Sequence, residues 1–222
     1  MYIQLNGQVI YYEKHGEGSP ILLAHGNKET HKIFDVLIPD LSKKHTVYAL
    51  DSRGHGFSSA PSEYHYADMA EDVAAFVQAL ELIKPAFYGF SDGGIVGLIA
   101  ASSYPDLFSA LAVSGANLTP SGWKFFTKLS VQMEYWKKKD PLVRLMLKEP
   151  HITRSDLARI TIPTLVLAGS KDIIRKRETS RIAASIPNAE LKILPDENHF
   201  SYVVRSPKLF PLLDAFFSAH CS

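Results

Sequence analysis

Pro85-Ala86-Phe87-Tyr88-Gly89-Phe90-Ser91-Asp92-Gly93-Gly94-Ile95-Val96-Gly97 is the stretch around which the chain is organised. Its apolar start, Pro85–Tyr88, reads as a short buried strand, and Ile95–Ser103 is compatible with a helix. Between them stands a serine with glycine two residues away on either side. G-x-S-x-G between a strand and a helix is the pattern of a nucleophile elbow, a turn so sharp that the serine backbone is strained and its hydroxyl stands clear. Side chains at Gly89 and Gly93 would collide across such a turn, so both glycines have a steric reason to be there. A negative charge developing on a bound carbonyl oxygen would lie near the helix start, where the Asp92 N–H and the helix dipole favour it. The pattern alone is equally compatible with an ordinary tight turn. An acid and a histidine placed later in the chain decide between the two.

Alternation of strand and helix extends from this stretch in both directions. Toward the N-terminus, Asn6-Gly7 between Tyr2–Leu5 and Val9–Lys14 predicts a hairpin with a type I′ turn. Ile21–Ala24 is a wholly apolar short run, as in a strand buried on both faces, and Thr46–Leu50 reads as another buried strand. Helical spacing of Phe34, Leu37, Ile38 and Leu41 predicts one amphipathic helix over about Thr30–Ser42, and Met69, Val73, Phe76, Val77 and Leu80 mark another. Toward the C-terminus, Leu111–Ser114, Thr164–Ala168 and Ala189–Leu194 read as strands, Glu178–Ser185 as a helix, and Pro207–Ala219 as a closing helix that Pro211 kinks or delays. The expected fold is α/β: a mostly parallel central sheet flanked by helices. Residues 117–163 break the alternation. With Trp123, Phe125, Phe126, Met133, Tyr135 and Trp136, and Pro120, Pro141 and Pro150 as punctuation, they predict a small helical cap inserted after the sixth strand. Residues 1–116 and 164–222 then form the core.

In a parallel sheet, sites form at the carboxyl ends of the strands. Four segments fall there: His25-Gly26-Asn27, Ser91, Gly169-Ser170-Lys171-Asp172, and the Asn198-His199-Phe200 loop after the last strand. The order Ser91, Asp172, His199 differs from the two main serine protease orders. With Asp51-Ser52-Arg53-Gly54-His55-Gly56, these motifs resemble the α/β-hydrolase superfamily nearly end to end, and specifically its small esterase-like serine hydrolases with a short cap.

That resemblance implies that Ser91 attacks an acyl carbon, that His199 takes its proton and returns it to the leaving group, and that Asp172 orients the imidazole. It also implies an oxyanion hole from the backbone N–H groups of Asn27 and Asp92. Asn27 departs from the bulky apolar residue often found there, which touches pocket polarity and leaves the N–H unaffected. Asp196 and Glu197 lie near His199 in sequence, but a carboxylate so close along the chain would have to fold back, whereas Asp172 ends its own strand. His25 is expected to shape the oxyanion loop and border the substrate pocket with Phe90 and Phe200. Trp123, Phe126 and Trp136 either line an acyl pocket or pack the cap.

Net charge is +1 and charged residues make up 21%, so nothing suggests nucleic acid or a membrane as partner; the expected partner is a small-molecule ester. No cofactor is implied. Asp51, Arg53 and His55 resemble a structural turn, no metal site is expected, and His15, His31, His45, His65, His151 and His220 read as surface residues. A single cysteine, Cys221, forms no internal disulfide, and the first residues lack a signal-peptide pattern, which together point to the cytoplasm. The expected activity is cleavage of a small, mostly apolar carboxylic ester through an acyl-enzyme. The same machinery serves aminopeptidases, lactonases, thioesterases and carbon–carbon bond hydrolases, and some proteins of this fold act as ligand receptors or signalling partners. An aminopeptidase would need acids in the cap, where Glu134, Asp140 and Glu149 are available.

Overall fold

The computed structural model describes residues 1–220; Cys221 lies outside the described residues. The strands are β1 (Tyr2–Leu5), β2 (Gln8–His15), β3 (Ser19–Ala24), β4 (His45–Leu50), β5 (Ala86–Phe90), β6 (Leu111–Ser114), β7 (Thr164–Gly169) and β8 (Ala189–Leu194). They form one sheet in the order β1-β2-β4-β3-β5-β6-β7-β8. The pairs β1/β2 and β2/β4 are antiparallel, and every other neighbouring pair is parallel. Asn6 and Gly7 both have positive φ, 47° and 74°, as a type I′ turn requires.

The helices are α1 (Ile38–Leu41), α2 (Tyr66–Ala79), α3 (Asp92–Ser103), α4 (Phe125–Lys138), α5 (Pro141–Lys148), α6 (Arg154–Ala158), α7 (Lys176–Ser185) and α8 (Phe210–His220). Alternate strand residues face opposite ways, so the sheet supplies two cores. On one face Leu22, Leu50, Phe87, Val113 and Val166 pack with Met69, Phe76, Ile95, Leu157 and Ile182. On the other, Ile21, Val47, Tyr88, Ala112 and Leu167 pack with Phe34, Leu41, Leu213 and Phe217. Helix α3 is buried nearly all round and lies so close to β5 that a Cβ on Gly97 would stand 2.6 Å from the Phe87 ring.

Two expected helices differ in detail. The segment predicted as one helix over Thr30–Ser42 is a 3-10 turn, His31–Phe34, followed by the four-residue α1. Pro39 has no N–H to give to the carbonyl of Asp35, so an unbroken helix cannot run through it. The closing helix starts late: Pro207–Leu209 form a 3-10 turn and α8 begins at Phe210, which puts Pro211 in the first turn, where a missing N–H costs nothing.

Three helices, α4, α5 and α6, lie between β6 and β7. Among the described residues no helix is long and apolar enough to cross a membrane.

Candidate active site

The chain lays β4 on one side of β3 and then crosses to place β5 on the other, so the connections leaving β3 and β5 part company at this point of the sheet. Such a switch point opens a crevice at the carboxyl ends of the two strands. The loop after β3 carries Gly26 and Asn27; the turn after β5 carries Ser91.

Ser91 has φ 52° and ψ −112°, a strained conformation of a kind that costs about 1–3 kcal/mol. The surroundings hold it there. Ser91 N–H donates to Ser114 O at 2.8 Å, Gly93 N–H donates to His25 O at 3.0 Å, and Ile95 N–H returns to Ser91 O at 3.0 Å. A Cβ on Gly89 would run into the Gly93 carbonyl across the turn, as expected. A Cβ on Gly93 would instead strike the carbonyl at the end of β3, so this glycine is fixed by the neighbouring strand.

The structure brings Ser91, His199 and Asp172 together. His199 Nε2 lies 3.1 Å from Ser91 Oγ, and His199 Nδ1 lies 2.8 Å from Asp172 Oδ1. Asp172 Oδ1 also accepts the Ile174 N–H at 2.8 Å, and both Asp172 and His199 are buried. The loops carrying Asp172 and His199 grip each other through main chain. Lys171 N–H donates to Glu197 O at 2.9 Å, Ser170 N–H to Leu194 O at 2.8 Å, and Gly169 leaves no room for a side chain against Glu197 O. Glu197 itself points elsewhere, pairing with Lys208 and Ser201, and Asp196 pairs with Lys171 at 2.9 Å; neither meets His199. Phe90 packs under the imidazole with ring centroids 4.9 Å apart, and Phe200 lies edge-on to it at 4.8 Å.

Side chains brace the loop after β3. Asn27 Nδ2 donates to Asp92 Oδ2 at 2.9 Å and to Leu142 O at 3.3 Å, which locks the two expected oxyanion donors to one another. The polar end of Asn27 is thereby used within the protein. Burial raises the Asp92 carboxyl above its ordinary value, against hydrogen bonds from Asn27 and Tyr66 that favour the charged form. Lys28, the next residue, pairs with Glu134 of α4 at 2.8 Å and with Asp140 at 2.7 Å, tying the loop to the inserted helices.

His25 is buried between backbone groups. Ser52 N–H donates to its Nε2 at 3.1 Å, so Nδ1 carries the proton and gives it to Gly26 O at 2.7 Å. Burial and the neighbouring His55 push its pKa down to about 4, in keeping with a neutral ring. It shapes the loop, and with both ring nitrogens occupied it turns no free polar atom toward the expected pocket.

Glu29, which no sequence motif marks, also lies at the site. Its Oε2 accepts the Gly26 N–H at 3.0 Å, and a Cβ on Gly26 would meet both this oxygen, at 2.6 Å, and Ser91 Cβ, at 3.1 Å. Burial pushes the carboxyl up to about 7; Gly26 N–H and His199 act to lower it and Asp92 to raise it. No periodicity marks a lone acid in a loop. Its only signal is its place three residues after Gly26.

The expected aromatic pocket needs correction. Phe126 and Trp136 are 79% and 78% exposed: Glu134 of α4 turns toward Lys28, and these rings project from other sides of the helix into solvent. Trp123 is buried and donates to Asn117 Oδ1 at 3.2 Å, so it packs the base of the insertion. Phe90 and Phe200 do border the imidazole. The acids considered for holding an amine are committed elsewhere: Glu134 and Asp140 to Lys28, and Glu149 to His65 at 2.6 Å and to Tyr66 N–H at 3.1 Å.

Asp51, Arg53 and His55 form a structural knot. Asp51 accepts from His31 N–H and from the His31 ring, both at 2.8 Å, and from Phe57 N–H at 3.0 Å. Arg53 grips Asp72 in a fork, at 2.6 and 2.7 Å, and reaches Asp68 at 3.0 Å. His31 and His45 are therefore core residues, contrary to the surface expectation: His31 is drawn in by Asp51, and His45 meets Ser19 Oγ at 2.8 Å.

A strained serine at a strand–helix turn, with histidine and acid on neighbouring loops of a mostly parallel sheet, has clear counterparts among known proteins. The chain belongs to the α/β-hydrolase family: a family model described as alpha/beta hydrolase fold matches residues 19–144. It is similar to serine hydrolase BPHL of Homo sapiens, 28% identical over 89% of this chain and 79% of that protein. It is also similar to AB hydrolase superfamily protein YisY of Bacillus subtilis, 26% identical over 97% and 98% of the two chains. Among solved structures, the enol-lactonase from Burkholderia xenovorans LB400 superposes with a TM-score of 0.83 over 98% of this chain and all of that one, at 20% identity, a likeness of fold.

Proposed function

We propose that this α/β-hydrolase is a serine hydrolase that cleaves a small carboxylic ester through an acyl-enzyme. The observation that carries the reading is the continuous Ser91–His199–Asp172 hydrogen-bond chain, 3.1 and 2.8 Å, beginning at a strained serine.

Asp172 accepts a hydrogen bond from the Nδ1–H of His199, which leaves Nε2 with a lone pair aimed at the Ser91 hydroxyl. As Ser91 Oγ bonds to the acyl carbon, its proton passes to Nε2, and the carbonyl electrons collect on an oxyanion beside the N–H groups of Asn27 and Asp92. Loss of one such donor costs about 3–4 kcal/mol. Collapse of the tetrahedral intermediate breaks the ester bond, and the alcohol leaves with the proton from Nε2. Water then attacks the acyl-enzyme by the same route, giving the acid and restoring Ser91. Phe200, half exposed beside the imidazole, offers apolar surface to a modest acyl group. Residues 117–163 serve as a cap on a core of 1–116 and 164–222, and a single cysteine fits action in a reducing compartment such as the cytoplasm.

Serine-directed fluorophosphonate labelling with mapping of the modified residue tests this, together with chromogenic esters of graded acyl length. Label on Ser91, repeated turnover, and loss of both in a folded Ser91→Ala variant are expected. Wild-type turnover by Ser91→Ala would remove the nucleophile from the proposal. Binding that stalls after one event would point to a receptor.

A further inference from the structure

Helix α4 carries a stripe of large apolar side chains on the side that faces water. Phe125, Leu129, Met133 and Trp136 recur at helical spacing with Phe126 beside them, and all five are exposed; none of the helix's fourteen residues is buried. A helix on a protein surface ordinarily turns such a stripe inward. Here the inner side is occupied by the Glu134–Lys28 pair, and the stripe is left outward over roughly 20 Å.

The charges around it select what can cover it. Residues 124–139 hold five lysines, at 124, 128, 137, 138 and 139, against the single acid Glu134, whereas the whole chain has a net charge of only +1. Glu134 is shared between Lys28 and Lys138, so it offsets at most one charge of the basic rim. A second copy of the same face would bring the lysine clusters together, an arrangement that like-charge repulsion opposes. Aromatic and aliphatic side chains flanked by lysines match the chemistry of a helix lying in the interface of a negatively charged bilayer, apolar face in the acyl boundary and ammonium groups among the phosphates.

We propose that the outward face of α4 docks on an anionic lipid surface, holding the protein at a membrane periphery. Overall charge gave no hint of this, because the surplus is local.

The chain supplies its own reporter. It has two tryptophans, of which Trp123 is buried and Trp136 is exposed on the stripe. Vesicles of one part phosphatidylglycerol to two parts phosphatidylcholine should shift tryptophan emission to the blue and co-sediment with the protein. Pure phosphatidylcholine vesicles should do so at least tenfold more weakly, and 0.5 M salt should weaken the anionic case. A Trp136→Phe variant should lose the shift and still sediment. Phe125→Ser/Met133→Ser should reduce partitioning at least tenfold, and Lys137→Gln/Lys138→Gln by roughly fivefold per lysine. Wild-type turnover of a soluble ester by each variant would show that the fold is intact. Absence of both shift and co-sedimentation with anionic vesicles overturns the proposal, as does equal binding to the two vesicle types. A lipid-free dimer abolished by Phe125→Ser/Met133→Ser, without vesicle binding, would assign the face to self-association and overturn it too.

Discussion

Gly115, just after β6, gives the sharpest test of the site geometry. Its φ is +63°, and a Cβ placed on it would lie 2.6 Å from Cε1 and 2.9 Å from Nδ1 of His199. Ordinary carbon–carbon contact lies at about 3.5–4.0 Å, so Gly115→Ala must push the imidazole by about 1 Å. The ring has little room to give: Phe90 and Phe200 flank it at 4.9 and 4.8 Å between centroids, and Asp172 holds Nδ1. The displacement falls on the 3.1 Å link to Ser91 Oγ. A misplacement of about 1 Å at a reacting centre typically costs about 100-fold in rate. Alanine at positive φ also costs about 1 kcal/mol of stability, which has to be separated from the catalytic effect. Gly7→Ala provides that control, since Gly7 has φ +74° with open space where its Cβ would stand. Both variants should lose about 1 kcal/mol or somewhat more in urea unfolding. Only Gly115→Ala should lose kcat/KM on a short-chain chromogenic ester, by about 100-fold. A folded Gly115→Ala protein with kcat/KM within about twofold of wild type would refute the argument that this glycine sets the position of the base.

The remaining predictions concern charges. Asp172→Asn should keep the fold and lower kcat by about 10⁴-fold, as loss of the acid does in triads generally, measured by steady-state kinetics. Glu29 has its carboxyl raised from 4.5 to about 7, so folding disfavours its ionised form; wild-type stability should fall as pH rises from about 4.5 to 7 and be level above. Glu29→Gln can still accept the Gly26 N–H without the charge, and should gain about 1–3 kcal/mol relative to wild type at pH 8 over pH 4, read by denaturant unfolding at the two pH values. A difference independent of pH would count against the buried charge. Asp72→Ala strips the fork from buried Arg53 and should cost about 3–5 kcal/mol in the same assay, with kcat on the remaining folded enzyme little changed.

What the residues announced in advance were features set by local chemistry. The Asn6-Gly7 hairpin follows from two residues that tolerate positive φ, and the short apolar runs at 21–24, 46–50 and 86–90 follow from burial on both faces. The meeting of Ser91, Asp172 and His199 was legible because each follows a strand of one parallel sheet. Features that depend on orientation or on distant partners were not. Counting aromatics between 117 and 163 says nothing about which way a helix turns them, and the Lys28–Glu134 contact on its inner side joins residues 106 positions apart. His31 looked like a surface histidine until Asp51, twenty residues on, drew it inward. Pro39 split a helix whose hydrophobic spacing was correct for burial, since Phe34, Leu37, Ile38 and Leu41 are all buried in its two pieces.

The grip between the loops after β7 and β8 runs from peptide group to peptide group, Lys171 to Glu197 and Ser170 to Leu194. Spacing between acid and base is therefore insulated from the identity of the side chains along that rim, Gly169 excepted. Substitutions at 171, 196 and 197 could retune what approaches the crevice while leaving the hydrogen bonds among Ser91, His199 and Asp172 untouched. Such a division of labour lets one scaffold drift toward new substrates without first losing its chemistry.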